Sequence, residues 1–127
     1  MAGTIVADTI QDGAGNSTAM DNAIYGSAKA WVNFNGVTTT TIYGSYNTSS
    51  VTRNSAGNYT IAFTNALTDA NYAVALTLSA SGAGSNLTPT IASAGLTSAP
   101  TLKSTTQLQI ITAQGADSAN ISAIILR

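Results

Sequence analysis

Short runs in which apolar and polar residues alternate recur along this chain, and that pattern restricts it to sheet. AKAWVNFN (28–35) sets Ala28, Ala30, Val32 and Phe34 against Lys29, Trp31, Asn33 and Asn35. NYTIAF places Tyr59, Ile61 and Phe63 on one face, and NYAVALTLSA does the same for Tyr72, Val74, Leu76 and Leu78. A side-chain period of two is the mark of a half-buried strand. IYGSYN alternates Ile42, Gly44 and Tyr46 with Tyr43 and Ser45, and a glycine inside such a run predicts a bulge or a close backbone approach. The stretch 102–112 is β-leaning, with Leu108, Ile110 and Thr112 opposing Gln107, Gln109 and Ile111; TIASAGLTSAP (90–100) gives a weaker, short strand ended by Gly95 and Pro100. ISAIIL is apolar on nearly both faces, which predicts a strand that is central or covered on both sides.

Turn chemistry punctuates these runs. Asn35-Gly36 predicts a tight hairpin with positive φ, SAGN predicts the turn between two strands within 51–63, and Asp69 and Asn71 mark a polar connector. Helix signals are scarce: Asp21 is a candidate cap, but Gly26 and the β pattern behind it predict no more than a turn. Seven or eight short strands at this spacing predict an all-β fold, an antiparallel β-sandwich with jelly-roll-like winding. Residues 1–25 stand apart as a short N-terminal arm or a first strand of the same sandwich, and residues 26–127 form the knob domain.

Composition narrows the function. Of 127 residues only nine are charged: Lys29, Arg53, Lys103, Arg127 and five aspartates, with no glutamate, histidine or cysteine, for a net charge of −1. Cys/His zinc sites and His-dependent nucleophilic catalysis are therefore excluded. Four scattered cations make no basic stripe for nucleic acid. Nor is there an apolar run of the length a membrane span needs, or the basic start and apolar stretch of a secretory signal. Asp8 and Asp12 lie close together but read as a turn beside Gly13 and Gly15, and the Gly-rich SGAGSN lacks the lysine of a phosphate loop. The expectation is a non-enzyme with no catalytic residue, no cofactor and no metal.

The same composition bears on assembly. Twenty Thr, 14 Ser and 11 Asn replace the usual charged coat. Charged residues normally keep strand edges from pairing wrongly, and here almost none are present. Identical subunits covering one another's faces and edges would solve that problem, which predicts a homo-oligomer. Trp31 faces away from the small apolar side of its strand, with Lys29, Asn33 and Asn35. It reads either as an intersubunit or arm contact, or, with Tyr43, as an aromatic platform for a sugar ring.

AKAWVNFNG followed by SYNTSSVTRNSAGNYTIAFTNALTDANYAVALT closely resembles a module repeated among tailed-bacteriophage virion proteins of the tail-fibre-like or structural type. The matching motifs are an AKAWVNF start (28–34), a SxNxSS turn (45–50), an N-x-x-G-x-Y-T-x-x-F hairpin (54–63) and a D-A-N-Y-A strand (69–73). The opening TIVADTIQDGAG and closing SAIIL match more loosely. The resemblance implies a trimeric β-rich knob on a virion surface, made in the host cytoplasm. Without shaft repeats or heptads, capsid decoration or cementing fits better than a complete fibre. The arm would then dock on the major capsid protein or another virion protein through Thr4, Ile5, Val6 and Ile10. The alternative is a tail-fibre tip that recognises host surface carbohydrate, through loops such as 36–41 and 80–88.

Overall fold

A computed structural model describes Gly3 and residues 6–79, 89–91, 103–112 and 116–127. Strands β1 (Thr9–Gln11) and β2 (Ser17–Ala19) form a small antiparallel hairpin, followed by helix α1 (Met20–Gly26). Eight strands come next: β3 (Ala28–Asn35), β4 (Thr41–Tyr46), β5 (Thr48–Ser55), β6 (Asn58–Phe63), β7 (Ala73–Leu78), β8 (Pro89–Ile91), β9 (Gln107–Thr112) and β10 (Ile121–Leu126). They build two four-stranded antiparallel sheets, ordered β4-β3-β10-β7 and β5-β6-β9-β8. The all-β antiparallel architecture is thus the observed one. No helix among the described residues is long and apolar enough to cross a membrane.

The inner faces follow from the alternation. Ala30, Val32 and Phe34 of β3 and Ile121, Ala123 and Ile125 of β10 meet Tyr59, Ile61 and Phe63 of β6 and Leu108 and Ile110 of β9. Burying each large aliphatic or aromatic side chain contributes about 1.5–3 kcal/mol. Two edge-to-face aromatic pairs join the layers: Phe34 with Tyr59 at 5.3 Å between ring centroids, and Phe63 with Tyr72 at 6.0 Å. As its composition predicts, β10 is central, between β3 and β7; its inner residues are sealed, whereas outward Ile124 remains 43% exposed.

Where the chain crosses from one sheet to the other, Asn47 adopts φ +52°, which asparagine tolerates better than most residues. Its side chain holds the corner, donating to Lys29 O (3.0 Å) and Asn65 O (3.2 Å) and accepting from Asn65 N (2.8 Å). Hairpins β3–β4, β5–β6 and β8–β9 each stay within one sheet. A jelly roll sends most successive strands across to the opposite sheet, so this strand order does not carry the jelly-roll-like part of the expectation.

Three local expectations are corrected. Residues 20–26 form two helical turns rather than a single turn; Ala19, not Asp21, stands at the cap position, and no side chain caps the helix. The connection after Asn35 is a five-residue loop in which Thr38, not Gly36, carries positive φ (57°). Gly36 serves close packing instead, because a Cβ there would fall 2.5 Å from the Tyr59 hydroxyl. Finally, strand structure in the 102–112 stretch starts only at Gln107; Lys103 makes an isolated bridge back to Leu108.

Candidate functional site

The outer face of the β4-β3-β10-β7 sheet carries several exposed large side chains. Register fixes its rows. Tyr46, Trp31, Ile124 and Ala75 lie side by side across four strands; Gly44, Asn33, Ser122 and Thr77 form the next row. Trp31 is 40% exposed, Tyr46 58% and Ile124 43%, with Leu126 at 36% farther along β10. The Trp31 ring lies over Gly44, where a Cβ would meet its Cη2 and Cζ3 at 3.4 Å. A side chain at position 44 would therefore pack directly against the indole.

Beside the aromatic row the face turns polar. The Asn33 amide donates to Asn120 Oδ1 (2.5 Å) and Ser122 Oγ (2.7 Å). The Tyr43 hydroxyl reaches the carbonyl of Ala119 at 3.5 Å. A bulge separates the pairs Asn33–Gly44 and Phe34–Ile42 and makes Tyr43 the extra residue of β4. Of the two expectations for a glycine in this run, the bulge is the one present. Asn35 lies past the bulge, where its Oδ1 accepts from Val37 N (2.8 Å) and shapes the loop.

The structure thus places Trp31 and Asn33 in adjacent rows, Tyr43 at their polar end, and Asn35 in a turn-forming role. The residue opposite Trp31 is Tyr46. The sequence reading assigns Tyr46 to the face of Ile42, a consequence of counting through the bulge. Of the arm residues, Thr4 and Ile5 lie outside the described residues; Val6 is 94% exposed and Ile10 45%. Loop 80–88 also lies outside them. The Asp12 carboxylate is occupied by its own turn, accepting from Ala14 N, Asn16 N and Asn16 Nδ2, and these bonds lower its pKa.

A second polar centre escapes sequence reading. Asp117 accepts a forked bond from Arg53 (Nε 3.0 Å, Nη2 2.8 Å), a bond from Gly57 N (2.9 Å), and lies 2.7 Å from the Tyr59 hydroxyl. Chiefly through Arg53, the Asp117 carboxyl is held well below the ordinary carboxylate range. Burial, reinforced by Asp117, pushes the Tyr59 phenol well above its ordinary value. Tyr59 is wholly buried and also lies 3.1 Å from Gly36 O, so the cluster ties the β5–β6 turn to the β3–β4 loop and the lead-in to β10. Its groups satisfy one another, and its chemistry is that of a structural clasp.

Among the described residues no group of three or more His, Cys, Asp or Glu side chains is placed to hold a metal. What the outer face offers is neutral: aromatic and aliphatic surface bordered by amides and hydroxyls, suited to contact rather than to proton or group transfer. In comparisons with protein-family models, curated proteins and solved structures, none matches this chain.

Proposed function

We propose that this protein is a non-enzymatic structural component of a phage virion, a homotrimer whose knob decorates or cements the capsid while its N-terminal arm docks on a virion protein. The observation that carries the reading is the uncovered apolar row Tyr46–Trp31–Ile124–Ala75 on an otherwise well-sealed sandwich. An exposed patch of this kind on a soluble domain marks an interaction surface. The edges point the same way: β4 and β7, which bound this sheet, contain no charged residue to discourage pairing. The phage assignment itself rests on the order of motifs from Ala28 onward.

Light scattering on the purified chain should return a mass near three times 12.8 kDa, and a clean monomer overturns the assembly reading. Quantitative mass spectrometry of purified particles of the encoding phage should find hundreds of copies per virion. Absence from particles sinks the virion assignment.

One observation favours a second reading, a tail-fibre tip that recognises host glycans: Trp31 and Tyr46 stand half-exposed next to the Asn33 row, an aromatic surface with polar neighbours such as a sugar ring uses. A tip protein would be present at a few dozen copies or fewer. Trp31→Ala would then abolish glycan-array binding while leaving the oligomer mass unchanged.

A further inference from the structure

The charges of this chain are few enough to follow one by one. Arg53 pairs with Asp117 and Arg127 with Asp69. Lys103 lies 4.6 Å from the centre of the Tyr72 ring and donates to the Tyr72 carbonyl. Asp12 closes its own turn. Among the described side chains Lys29, Lys103, Asp8 and Asp12 stand outside any ion pair; the contacts just named hold Lys103 and Asp12, but neither Lys29 nor Asp8.

Lys29 lines an open cleft of about 520 Å³ between helix α1, the start of β3 and the segment after β6. Ile24, Ala66 and Leu67 give the cleft an apolar wall, and Arg127 stands at its rim with a buried Nε that has no hydrogen-bond partner. Lys29 Nζ is held toward this space by the Ile24 carbonyl and by Ser27 Oγ (2.8 Å). The cleft therefore has an apolar wall, two polar residues in Asn47 and Thr68, and at its rim the Lys29 ammonium beside an Arg127 already paired with Asp69.

Asp8 lies in a segment of the opposite character. The chain bends at Asp8, with Val6 before it and Ile10 after it, two aliphatic side chains flanking a carboxylate. Every strand residue of the β1–β2 hairpin is exposed, and a lone two-stranded hairpin is marginal in water unless something covers it. Its own chain does not seat this segment in the cleft. Met20 N donates to the Asp8 carbonyl (2.9 Å) and ties it to the start of α1, whereas the cleft begins near the far end, at Ile24, and Val6 stays 94% exposed.

We infer that residues 6–10 of one copy seat in the Lys29 cleft of a neighbouring copy, with Val6 and Ile10 against Ile24, Ala66 and Leu67 and the Asp8 carboxylate against Lys29 Nζ. This exchange of arms rests on the homo-oligomeric reading above and supplies a second contact, separate from the Trp31 face. It links the knobs through residues 6–10 of their arms and leaves Thr4 and Ile5 of the docking segment for the virion partner.

The absence of cysteine makes the contact directly testable. Differently tagged chains carrying Asp8→Cys and Ala66→Cys are co-expressed, purified through both tags and oxidised, each variant first checked for a wild-type melting curve. The expected result is a disulfide-linked species carrying both tags, absent when either chain is expressed alone. In separate chains, Lys29→Asp should lower the oligomer's resistance to dilution about tenfold, and adding Asp8→Lys should restore it. An intact oligomer with no mixed cross-link overturns the arm exchange and leaves the oligomer standing. In a single chain given both substitutions, a cross-link that forms only within that chain also overturns it. A monomeric wild type overturns both.

Discussion

The two sheets of this sandwich share an interior but present opposite exteriors. Outside the β5-β6-β9-β8 sheet, amides and hydroxyls bond to one another: Asn54 Nδ2 donates to Asn58 Oδ1 (3.0 Å) and Thr60 Oγ1 (2.9 Å), and Gln109 Nε2 donates to Asn58 Oδ1 (2.8 Å). Outside the β4-β3-β10-β7 sheet stand Trp31, Tyr46 and Ile124. Both faces lack charge except at their margins. The chain therefore has two ways of being neutral: one face turns most of its amides and hydroxyls on one another, while the other leaves aromatic and aliphatic area exposed.

The largest test of this contrast swaps the treatment of the two faces. Ile124→Lys should reduce the mass in solution about threefold, to the 12.8 kDa of one chain, whereas Thr52→Lys on the amide face should leave it unchanged. Equal loss from both, by light scattering, erases the distinction. Ile125→Ala, one residue along β10 but pointing inward at 0% exposure, should cost about 2–5 kcal/mol in urea unfolding through lost burial and the cavity left behind. That separates failure to fold from failure to assemble. Gly36→Ala forces a methyl against the Tyr59 hydroxyl and should cost about 1–3 kcal/mol by the same measurement, as overpacked sites do.

Acidity probes what stands behind both faces. The Asp117 and Asp69 carboxyls are depressed, mainly by Arg53 and Arg127 respectively, so their stabilisation is complete above the unfolded carboxylate pKa of about 4 and is lost as pH falls below it. The Tyr59 phenol is raised by burial, so its contribution is present below about pH 10 and is lost as pH climbs toward its folded value. Urea midpoints measured from pH 2 to 7 should fall at the acid end, and Asp117→Asn should flatten that fall. The smallest effect belongs to the amide face. Gln109→Leu removes one bond to Asn58 but also an oxygen that has no partner, and should change stability by less than about 1 kcal/mol.

Period-two patterning was enough to read the layers, because a strand with one buried face must alternate. Ile121, Ala123 and Ile125 needed nothing else. Tyr46 did not yield to that reading, since one bulge shifts the count and changes the face of every residue beyond it. The Trp31 half of the candidate site was therefore legible and its neighbour was not. The Asp117 clasp was illegible for another reason: its partners lie 58 to 64 positions away, and only the meeting of three loops brings them together. Gly36 reads in the sequence as a residue free to turn, not as the one that leaves room for the Tyr59 phenol. Helix α1 lacks a capping side chain, so the usual start signal is missing.

The bulge also sets where this protein can change length. Asn33 pairs with Gly44 and Phe34 with Ile42, so Tyr43 has no opposite number on β3. A chain without it would pair residue for residue through this point, with Ile42 still inward and Gly44 and Tyr46 still outward. Nearly anywhere else in a strand, a one-residue deletion turns the rest of the strand inside out. Position 43 is therefore a place where lineages carrying this fold can gain or lose a residue without exchanging the surface for the core.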